Sequence, residues 1–263
     1  KTLILFTEHE MLGRLKHALL SKNIHLKYQP VYSLSHEEVV GFEALLRWRD
    51  PHYGSVCPET LVTLAAQHGL MNTVSVYVIK KALSQMAHLI KAHHLFLSFN
   101  LHPTDFLSHS FKDFLFSALA RYQLTASDLM LEITEVPCHD LSALNQNAQL
   151  LVEKGFRLAL DDFGKGCSDS ERLRALPVTD VKIDRLLTHA LCEGLGNGHG
   201  SDAQKHCDSL YRFPYPLIFE GVETQAQLAC LRERFPRARV QGWYFSKAVP
   251  IEGVRRLLGE SVA

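Results

Sequence analysis

Neither sign of charge predominates in this sequence, in which 28 basic residues balance 28 acidic ones. The balance gives no basis for attraction of the whole molecule to duplex nucleic acid or to an anionic membrane. The sequence also lacks an apolar run near the roughly 18 residues of a membrane-spanning helix. Its short apolar start, Leu3–Phe6, does not resemble a signal peptide. We expect a cytoplasmic domain, cut from a longer parent that could itself be membrane-anchored.

No Cys-x-x-Cys pair occurs among the six cysteines, and a chain of this length needs no disulfide framework. Reduced thiols are therefore expected. A zinc site built from Cys192, His199, His206 and Cys207 is disfavoured, because their spacing matches no closed zinc site. The glycine-rich stretch 193–200 follows no strand, so we interpret it as a flexible connection and not as a phosphate loop.

Hydrophobic residues make up 46% of the chain, and their spacing predicts alternating strands and helices. A capping box at Thr7-x-x-Glu10 predicts a first helix, and Ile24–Leu34 with Val39–Trp48 predicts an antiparallel hairpin. Helix-then-strand repeats follow, for a total of eight strands. They include a helix from Phe106 to Tyr122, a helix from Leu141 to Lys154 that Gly155 ends, and a last strand from Val240 to Phe245. We therefore predict an α/β fold with the size of a (β/α)₈ barrel. A lead-in helix would occupy 1–23 and the barrel domain 24–263.

Seven successive predicted strands each end in polar side chains, which in a barrel would meet at one mouth. These residues are Glu43, Asn100, Glu132, Asp161, Asp162, Lys182, Glu220 and Gln241. Carboxylates crowded together stay ionised only if cations lie among them, and oxygen ligands select Mg²⁺, Mn²⁺ or Ca²⁺. The adjacent Asp161 and Asp162 suggest a bridge between two metal ions, and Lys182 could stabilise developing charge. Arg47 could meet a phosphate or could pair with Asp50.

Eight short motifs in these regions occur in the order typical of the EAL-domain family, over about Ile24 to Leu258. The most specific are Glu43-Ala44-Leu45-Leu46-Arg47-Trp48 and Asp161-Asp162-Phe163-Gly164; the others begin at Gln29, Phe99, Leu131, Lys182, Glu220 and Gln241. The chain thus resembles bacterial phosphodiesterases that open cyclic di-GMP to linear pGpG with two Mg²⁺ or Mn²⁺ ions. Ca²⁺ would bind without supporting turnover. The resemblance also implies a TIM-like barrel with one antiparallel strand, in agreement with the predicted hairpin.

The resemblance assigns roles residue by residue. One metal ion would be held by Glu43, Asn100, Glu132 and Asp161, and the second by Asp161, Asp162 and Glu220. Lys182 and Gln241 would position the attacking water, with Glu220 also a candidate for proton handling. Substrate contacts would come from Gln29, Leu45 and Arg47. Glu135 would anchor a loop, and Glu223 would support Lys182.

Some segments depart from the family pattern. The loop 165–170 reads Lys-Gly-Cys-Ser-Asp-Ser where Thr-Gly-Tyr-Ser-Ser-Leu is usual, so that Asp169 and Glu171 place acids on an ordinarily neutral surface. Ala248 replaces a usual proline. The alternative function is therefore a weak or inactive module that binds cyclic di-GMP or a regulatory protein partner. A homodimer, and sensory or GGDEF-type domains in the parent protein, also stay open.

Overall fold

The computed structural model describes residues 2–133, 140–165, 169–193 and 201–261. Along the chain the helices and strands are α1 (Thr2–Leu20), β1 (Ile24–Ser33), β2 (Glu38–Asp50), β3 (Gly54–Val56), α2 (Pro58–Gln67), α3 (Met71–His93), β4 (Phe96–Leu101), α4 (Pro103–Leu107), α5 (His109–Tyr122), β5 (Leu129–Ile133), α6 (Leu141–Glu153), β6 (Arg157–Phe163), α7 (Asp169–Ala175), β7 (Asp180–Ile183), α8 (Arg185–Glu193), α9 (Ser201–Leu210), β8 (Leu217–Phe219), α10 (Gln225–Arg234), β9 (Arg239–Val240) and α11 (Ile251–Leu257).

Eight of the strands close into a barrel, with the spatial order β1-β9-β8-β7-β6-β5-β4-β2 and a final β2–β1 pairing. Strand β2 and strands β4 to β9 run parallel around the barrel, whereas β1 is antiparallel to both of its neighbours. This arrangement confirms the predicted barrel with one reversed strand. β3 is additional to the eight predicted strands and pairs with the far end of β2, from Trp48 to Asp50.

Apolar side chains, one of them aromatic, form a buried cluster inside the barrel. Val31, Phe96, Met130, Ala159 and Ile218 form this buried cluster, each from a different strand. A much larger apolar layer separates the outside of the sheet from the helices. Alternate residues of a strand face opposite sides of the sheet, and both sides are packed here. The strand sequences are therefore apolar on both faces.

Most boundaries agree with the sequence prediction to within one or two residues, and four differences have an identifiable cause or a clear size. The first helix begins at Thr2, ahead of the proposed cap at Thr7, because neither Pro nor Gly interrupts Leu3–Phe6. The helix predicted from Phe106 to Tyr122 is two helices, since Ser108 is extended and its hydroxyl accepts a hydrogen bond from Phe111 N at 3.2 Å.

The predicted strand Val240–Phe245 is only Arg239–Val240. Tyr244 N instead donates to Val222 O, which turns the chain away from the sheet. The fourth difference is the end of the helix before Gly155, which lies at Glu153 and not at Lys154. The glycine-rich stretch lies outside the described residues apart from Glu193, which ends α8.

The lead-in helix packs against the barrel. Leu12 and Leu15 of α1 share a buried cluster with Trp48 of β2 and with Leu61 and Leu64 of α2. Within the part of the chain that the structure describes, no helix combines the length and apolarity needed to cross a bilayer.

Candidate active site

The carboxyl ends of the parallel strands carry the polar side chains to one mouth of the barrel. β2 supplies Glu43, β4 Asn100, β5 Glu132, β6 Asp161 and Asp162, and β7 Lys182, while Glu220 and Gln241 come directly after β8 and β9. The register supports this, because Asn100 lies level with Glu132 across a parallel pair. The eight residues predicted from strand ends are thus brought together, whereas their chemical roles stay predictions.

A buried ammonium group lies at the centre of this mouth. Lys182 Nζ is 3.0 Å from oxygens of both Glu132 and Glu220, 3.3 Å from Glu43 and 3.6 Å from Asp161. The Lys182 side chain is only 1% exposed. One positive charge therefore faces four carboxylates away from water, which leaves an excess of negative charge in a poorly solvated site.

Amide side chains complete the surroundings of Glu43. Asn100 Nδ2 donates to Glu43 Oε1 at 2.8 Å, and Gln241 Nε2 donates to Glu43 Oε2 at 2.6 Å. Gln241 Nε2 also lies 3.2 Å from Gln29 Oε1, which brings β1 into the site. Gln241 Oε1 is buried and has no hydrogen-bond partner among the described residues. It is therefore an acceptor available to a bound water or ligand.

Burial and mutual repulsion shift the pKa values of the carboxylates in different directions. Burial raises the pKa of Glu220 to about 8, against the attraction of Lys182 and helped by Asp161 and Glu43. Burial likewise raises the pKa of Glu132 well above its ordinary range. For Glu43, burial opposes ionisation, but Lys182 and the donors Asn100 and Gln241 bring its pKa below the ordinary value. Without further cations, the carboxylate ring thus retains protons that a divalent ion would displace.

Three carboxylates form an outer group beside this ring. Oxygens of Asp161, Asp162 and Glu220 all lie within 4.8 Å of one another, a donor set that fits a hard divalent cation. Asp162 has a φ of 56°, a left-handed conformation that is strained for a residue with a side chain. Its backbone N–H donates to Asp161 Oδ1 at 2.9 Å, which orients the neighbouring carboxylate.

The positive group nearest to Asp162 is the side chain of Lys165. Its Nζ lies 3.6 Å from Asp162 Oδ2, and its backbone N–H donates to Asp162 O at 3.2 Å. Burial raises the pKa of Asp162, while Lys165 acts in the opposite direction. The Lys165 charge therefore lies at one of the carboxylates predicted to hold a metal ion.

A cavity of about 580 Å³ opens beside these acids. Residues that line it include Leu45, Arg47, Asn100, Asp161, Asp162 and Lys165. The alternative pairing of Arg47 with Asp50 is wrong, because Asp50 accepts from Arg14 at 3.1 Å and Arg47 donates to Leu46 O at 2.9 Å. Gln29 Nε2 reaches Ser246 O at 3.4 Å and lies on the Gln241 side of the mouth.

Of the remaining sequence predictions, one needs correction, one stays a prediction and one lies outside the described residues. Glu223 lies 4.0 Å from Arg185 and forms no ion pair with Lys182 among the described residues, so its indirect support of Lys182 stays a prediction. Asp169 is buried and its Oδ2 accepts from Gly164 N at 2.8 Å, so it does not place an acid on the surface. This bond was missed, because no local pattern indicates a contact from the start of a helix back to a residue five positions earlier. Glu135 lies outside the described residues.

Comparison with known proteins places these features in a family context. A model of the EAL domain matches residues 12–248. The oxygen sensor protein DosP of Escherichia coli K12 is 33% identical over 249 residues, which cover 91% of this chain and 30% of that protein. The cyclic di-GMP phosphodiesterase NbdA of Pseudomonas aeruginosa PAO1 is 31% identical over 254 residues, or 95% of this chain and 32% of that protein.

A solved structure agrees over almost the whole chain. The PaMucR phosphodiesterase in complex with c-di-GMP superimposes with a TM-score of 0.80 at 29% identity, covering 93% of this chain and 99% of that one. This chain spans about a third of the length of the two curated relatives.

Proposed function

This chain belongs to the EAL-domain family, and from that membership we propose that it hydrolyses cyclic di-GMP to linear pGpG with two divalent cations, Mg²⁺ or Mn²⁺. The observation that carries the proposal is the set of buried carboxylates at the barrel mouth, whose charge a single ammonium, Lys182, does not balance. A site that only recognised a dinucleotide dianion would gain nothing from such an excess of negative charge.

Relatives support the substrate class. NbdA is named a cyclic di-GMP phosphodiesterase, and the PaMucR phosphodiesterase was solved with c-di-GMP. This chain spans about a third of NbdA, so the proposal includes sensory or GGDEF-type domains and a regulatory partner in a longer parent protein. The proposal also includes a homodimer and a cytoplasmic location.

The proposal includes two cation sites. Oxygens of Glu43, Asn100, Glu132 and Asp161 would hold one ion, and those of Asp161, Asp162 and Glu220 the other. When bound, the ions would activate a water and neutralise the charge that develops on the phosphodiester. Ca²⁺ would occupy the same oxygens without supporting turnover.

Protein groups would position the reacting water. The Lys182 ammonium lies within 3.6 Å of four carboxylates and is fixed by them, so it can donate to a water between them. Gln241 Oε1, which lacks a partner among the described residues, can accept a hydrogen bond from the same water. Glu220, whose pKa burial raises to about 8, is suited to carry a proton at its carboxyl oxygen.

Substrate would occupy the cavity next to these groups. Arg47 lines the cavity and presents a guanidinium that can bind a phosphate, while Leu45 offers an apolar contact to a base. Gln29 approaches from β1 and would contact the dinucleotide from the other side of Glu43.

The test is hydrolysis by the purified chain. We expect cyclic di-GMP to be converted to pGpG with Mn²⁺ or Mg²⁺ and not with excess chelator, as followed by chromatography. Glu43→Gln removes one carboxylate charge and should reduce the rate by at least about 100-fold, since even changes behind a metal ligand cost 10–100-fold. Glu38→Gln, exposed on the same strand, is the matched control.

Other outcomes would contradict the proposal in different ways. Absence of product with calorimetric binding of cyclic di-GMP would make the chain a receptor of that dinucleotide. Absence of both would indicate a protein-interaction module. Full activity of Glu43→Gln would refute the assignment of metal ligands.

A further inference from the structure

Two lysines share the acids of the barrel mouth between them. Lys182 contacts Glu43, Glu132, Asp161 and Glu220, and Lys165 contacts Asp162. Among the described ion pairs, Asp162 is reached by Lys165 alone. Each ammonium therefore neutralises a different part of the site.

The Lys165 contact is placed by the backbone. The turn that begins at Asp162 is closed by the hydrogen bond from Lys165 N to Asp162 O, at 3.2 Å. The same turn brings Lys165 Nζ to 3.6 Å from Asp162 Oδ2. Since the φ of 56° at Asp162 also restricts where its carboxylate can lie, the ion pair is a product of local geometry.

Asp162 is also one of the three outer carboxylates whose oxygens lie within 4.8 Å of one another. A divalent cation held by these oxygens would come within a few ångströms of the Lys165 ammonium, if that ammonium kept its place. Two cations so close repel each other, and both use the same carboxylate. The ion and the Lys165 ammonium therefore compete for Asp162.

The exchange is energetically accessible because the pair is partly solvated. The Lys165 side chain is 54% exposed and that of Asp162 is 31% exposed. Lys182, at 1% exposure, has no comparable route to water. Ion pairs with this degree of exposure are weak, so Lys165 would lower the affinity for the cation without abolishing binding.

We propose that Lys165 is a tethered competitor of the outer divalent cation, and that this residue sets the cation concentration at which the site fills. The inference rests on the proposed function for the existence of the cation site. It assigns to the chain a residue that tunes metal affinity from within the loop after β6.

The experiment is a calorimetric titration of the chelator-stripped chain with MnCl₂, without dinucleotide. Lys165→Met removes the charge and keeps the length, Lys165→Arg keeps the charge, and Lys154→Met removes an exposed charge at the opposite end of the barrel, where α6 leads into β6. We expect Lys165→Met to bind one Mn²⁺ about two- to fivefold more tightly than the wild type, a range set by the strength of partly exposed pairs. The two controls should titrate like the wild type.

A double-mutant cycle tests the route through Asp162. In an Asp162→Asn background, Lys165→Met should no longer change Mn²⁺ affinity, because the shared carboxylate is gone. Two Mn²⁺ ions that lie close together broaden each other's electron paramagnetic resonance lines. Such broadening should appear when the ion affected by Lys165 binds, because its site lies beside the other cation site.

Each remaining result overturns the inference. Equal or weaker Mn²⁺ binding by Lys165→Met, with chelator-sensitive hydrolysis intact, would refute the role of Lys165 and leave the proposed function standing. No Mn²⁺ binding by any variant, together with no hydrolysis, would refute both. An unchanged Lys165→Met effect in the Asp162→Asn background would show that the lysine does not act through Asp162.

Discussion

Lys182 shows how a single side chain can hold a polar site together inside a barrel. Its ammonium is almost completely buried and lies within 3.6 Å of four carboxylates. Burial opposes its charge, but the surrounding acids raise its pKa well above the ordinary value, so it stays protonated. The sequence predicted this neighbourhood because Lys182 ends a strand between other strands that end in acids. It could not predict that one lysine touches four of them, since side-chain reach depends on barrel curvature.

Lys182→Met should therefore destabilise the fold as well as stop hydrolysis. Loss of one partner from a buried charge cluster leaves the others unpaired, and we expect the free energy of unfolding to fall by about 3 kcal/mol in the presence of chelator. Urea unfolding followed by circular dichroism measures this. Mn²⁺ should restore part of the loss, since it supplies positive charge to the same carboxylates. Stability equal to that of Lys154→Met would contradict the prediction.

A second buried acid, Asp105, lies away from the mouth and gives a dependence of stability on pH. Its Oδ2 accepts from Ser75 Oγ at 2.7 Å and from His102 N at 3.1 Å, and its Oδ1 has no partner among the described residues. Burial raises the pKa of Asp105 from 3.8 to about 6. The folded chain thus favours the neutral carboxyl. This contribution to stability is complete below about pH 4 and is lost as the pH rises through about 6.

Asp105→Asn removes that dependence. Relative to the wild type, the free energy of unfolding of the variant should increase by about 2 kcal/mol between pH 4 and pH 7. Urea titrations at several pH values give the difference directly. Asp113→Asn, on an exposed part of α5, should track the wild type throughout. Parallel curves for Asp105→Asn and the wild type would show that the Asp105 carboxyl titrates normally.

At the scale of elements, the site depends on close contact between the segment after β9 and the loop after β8. Val222 N donates to Gln241 O at 3.1 Å, and Tyr244 N donates to Val222 O at 3.0 Å. Gly242 lies between these bonds, and a Cβ there would come within 2.1 Å of Val222 O. The absence of a side chain at Gly242 therefore allows Gln241 to reach Glu43.

Gly242→Ala should separate the two segments. We expect a loss of at least about 2 kcal/mol in the free energy of unfolding, as for other overpacked positions, together with a fall in hydrolysis because Gln241 is displaced. Gly13→Ala is the matched comparison, since a Cβ at this α1 position meets nothing within 4 Å. That change should stabilise the chain by up to about 1 kcal/mol, given the better helix propensity of alanine. A neutral Gly242→Ala would contradict the packing argument.

The type of an element was predictable wherever the spacing of apolar residues is regular. The end of an element was not predictable where a polar side chain or a distant contact determines it. The hairpin of β1 and β2 follows from alternation on both sides of a polar turn. The break at Ser108 depends on a hydroxyl cap inside a continuous helical pattern, so the pattern alone could not reveal it. The early end of β9 depends on Val222, which is distant in sequence. Such contacts are tertiary and leave no local signal.

At the scale of the whole molecule, the barrel and α1 form one packed body. Leu12 and Leu15 of α1 are buried against residues of β2 and α2, and the family match begins at residue 12, inside this helix. The sequence predicted a lead-in helix outside the barrel domain. Its apolar stripe indicated a buried face, but only the fold identifies the surface that covers it.

Removal of residues 1–23 should therefore weaken the barrel domain. Two buried leucine side chains, Leu12 and Leu15, lose their contacts, and we expect the free energy of unfolding to fall by about 4 kcal/mol. Thermal unfolding of the shortened and full chains provides the comparison. Leu15→Ala in the full chain should reproduce about half of the loss or more, since Leu15 is completely buried. An unchanged shortened chain would show that α1 contributes nothing to the barrel.

The reversed direction of β1 has a mechanical consequence. Because β1 runs against β2, its first residue, Ile24, pairs with Trp48 near the far end of β2, on the side of the mouth. α1 therefore enters at the same end as the reacting groups. Its neighbour α2 contributes Glu59 and Thr63 to the wall of the cavity beside the acids. α1 packs directly on α2, and α2 forms part of the cavity wall. A displacement of α1 would therefore act on the cavity through a single helix–helix contact.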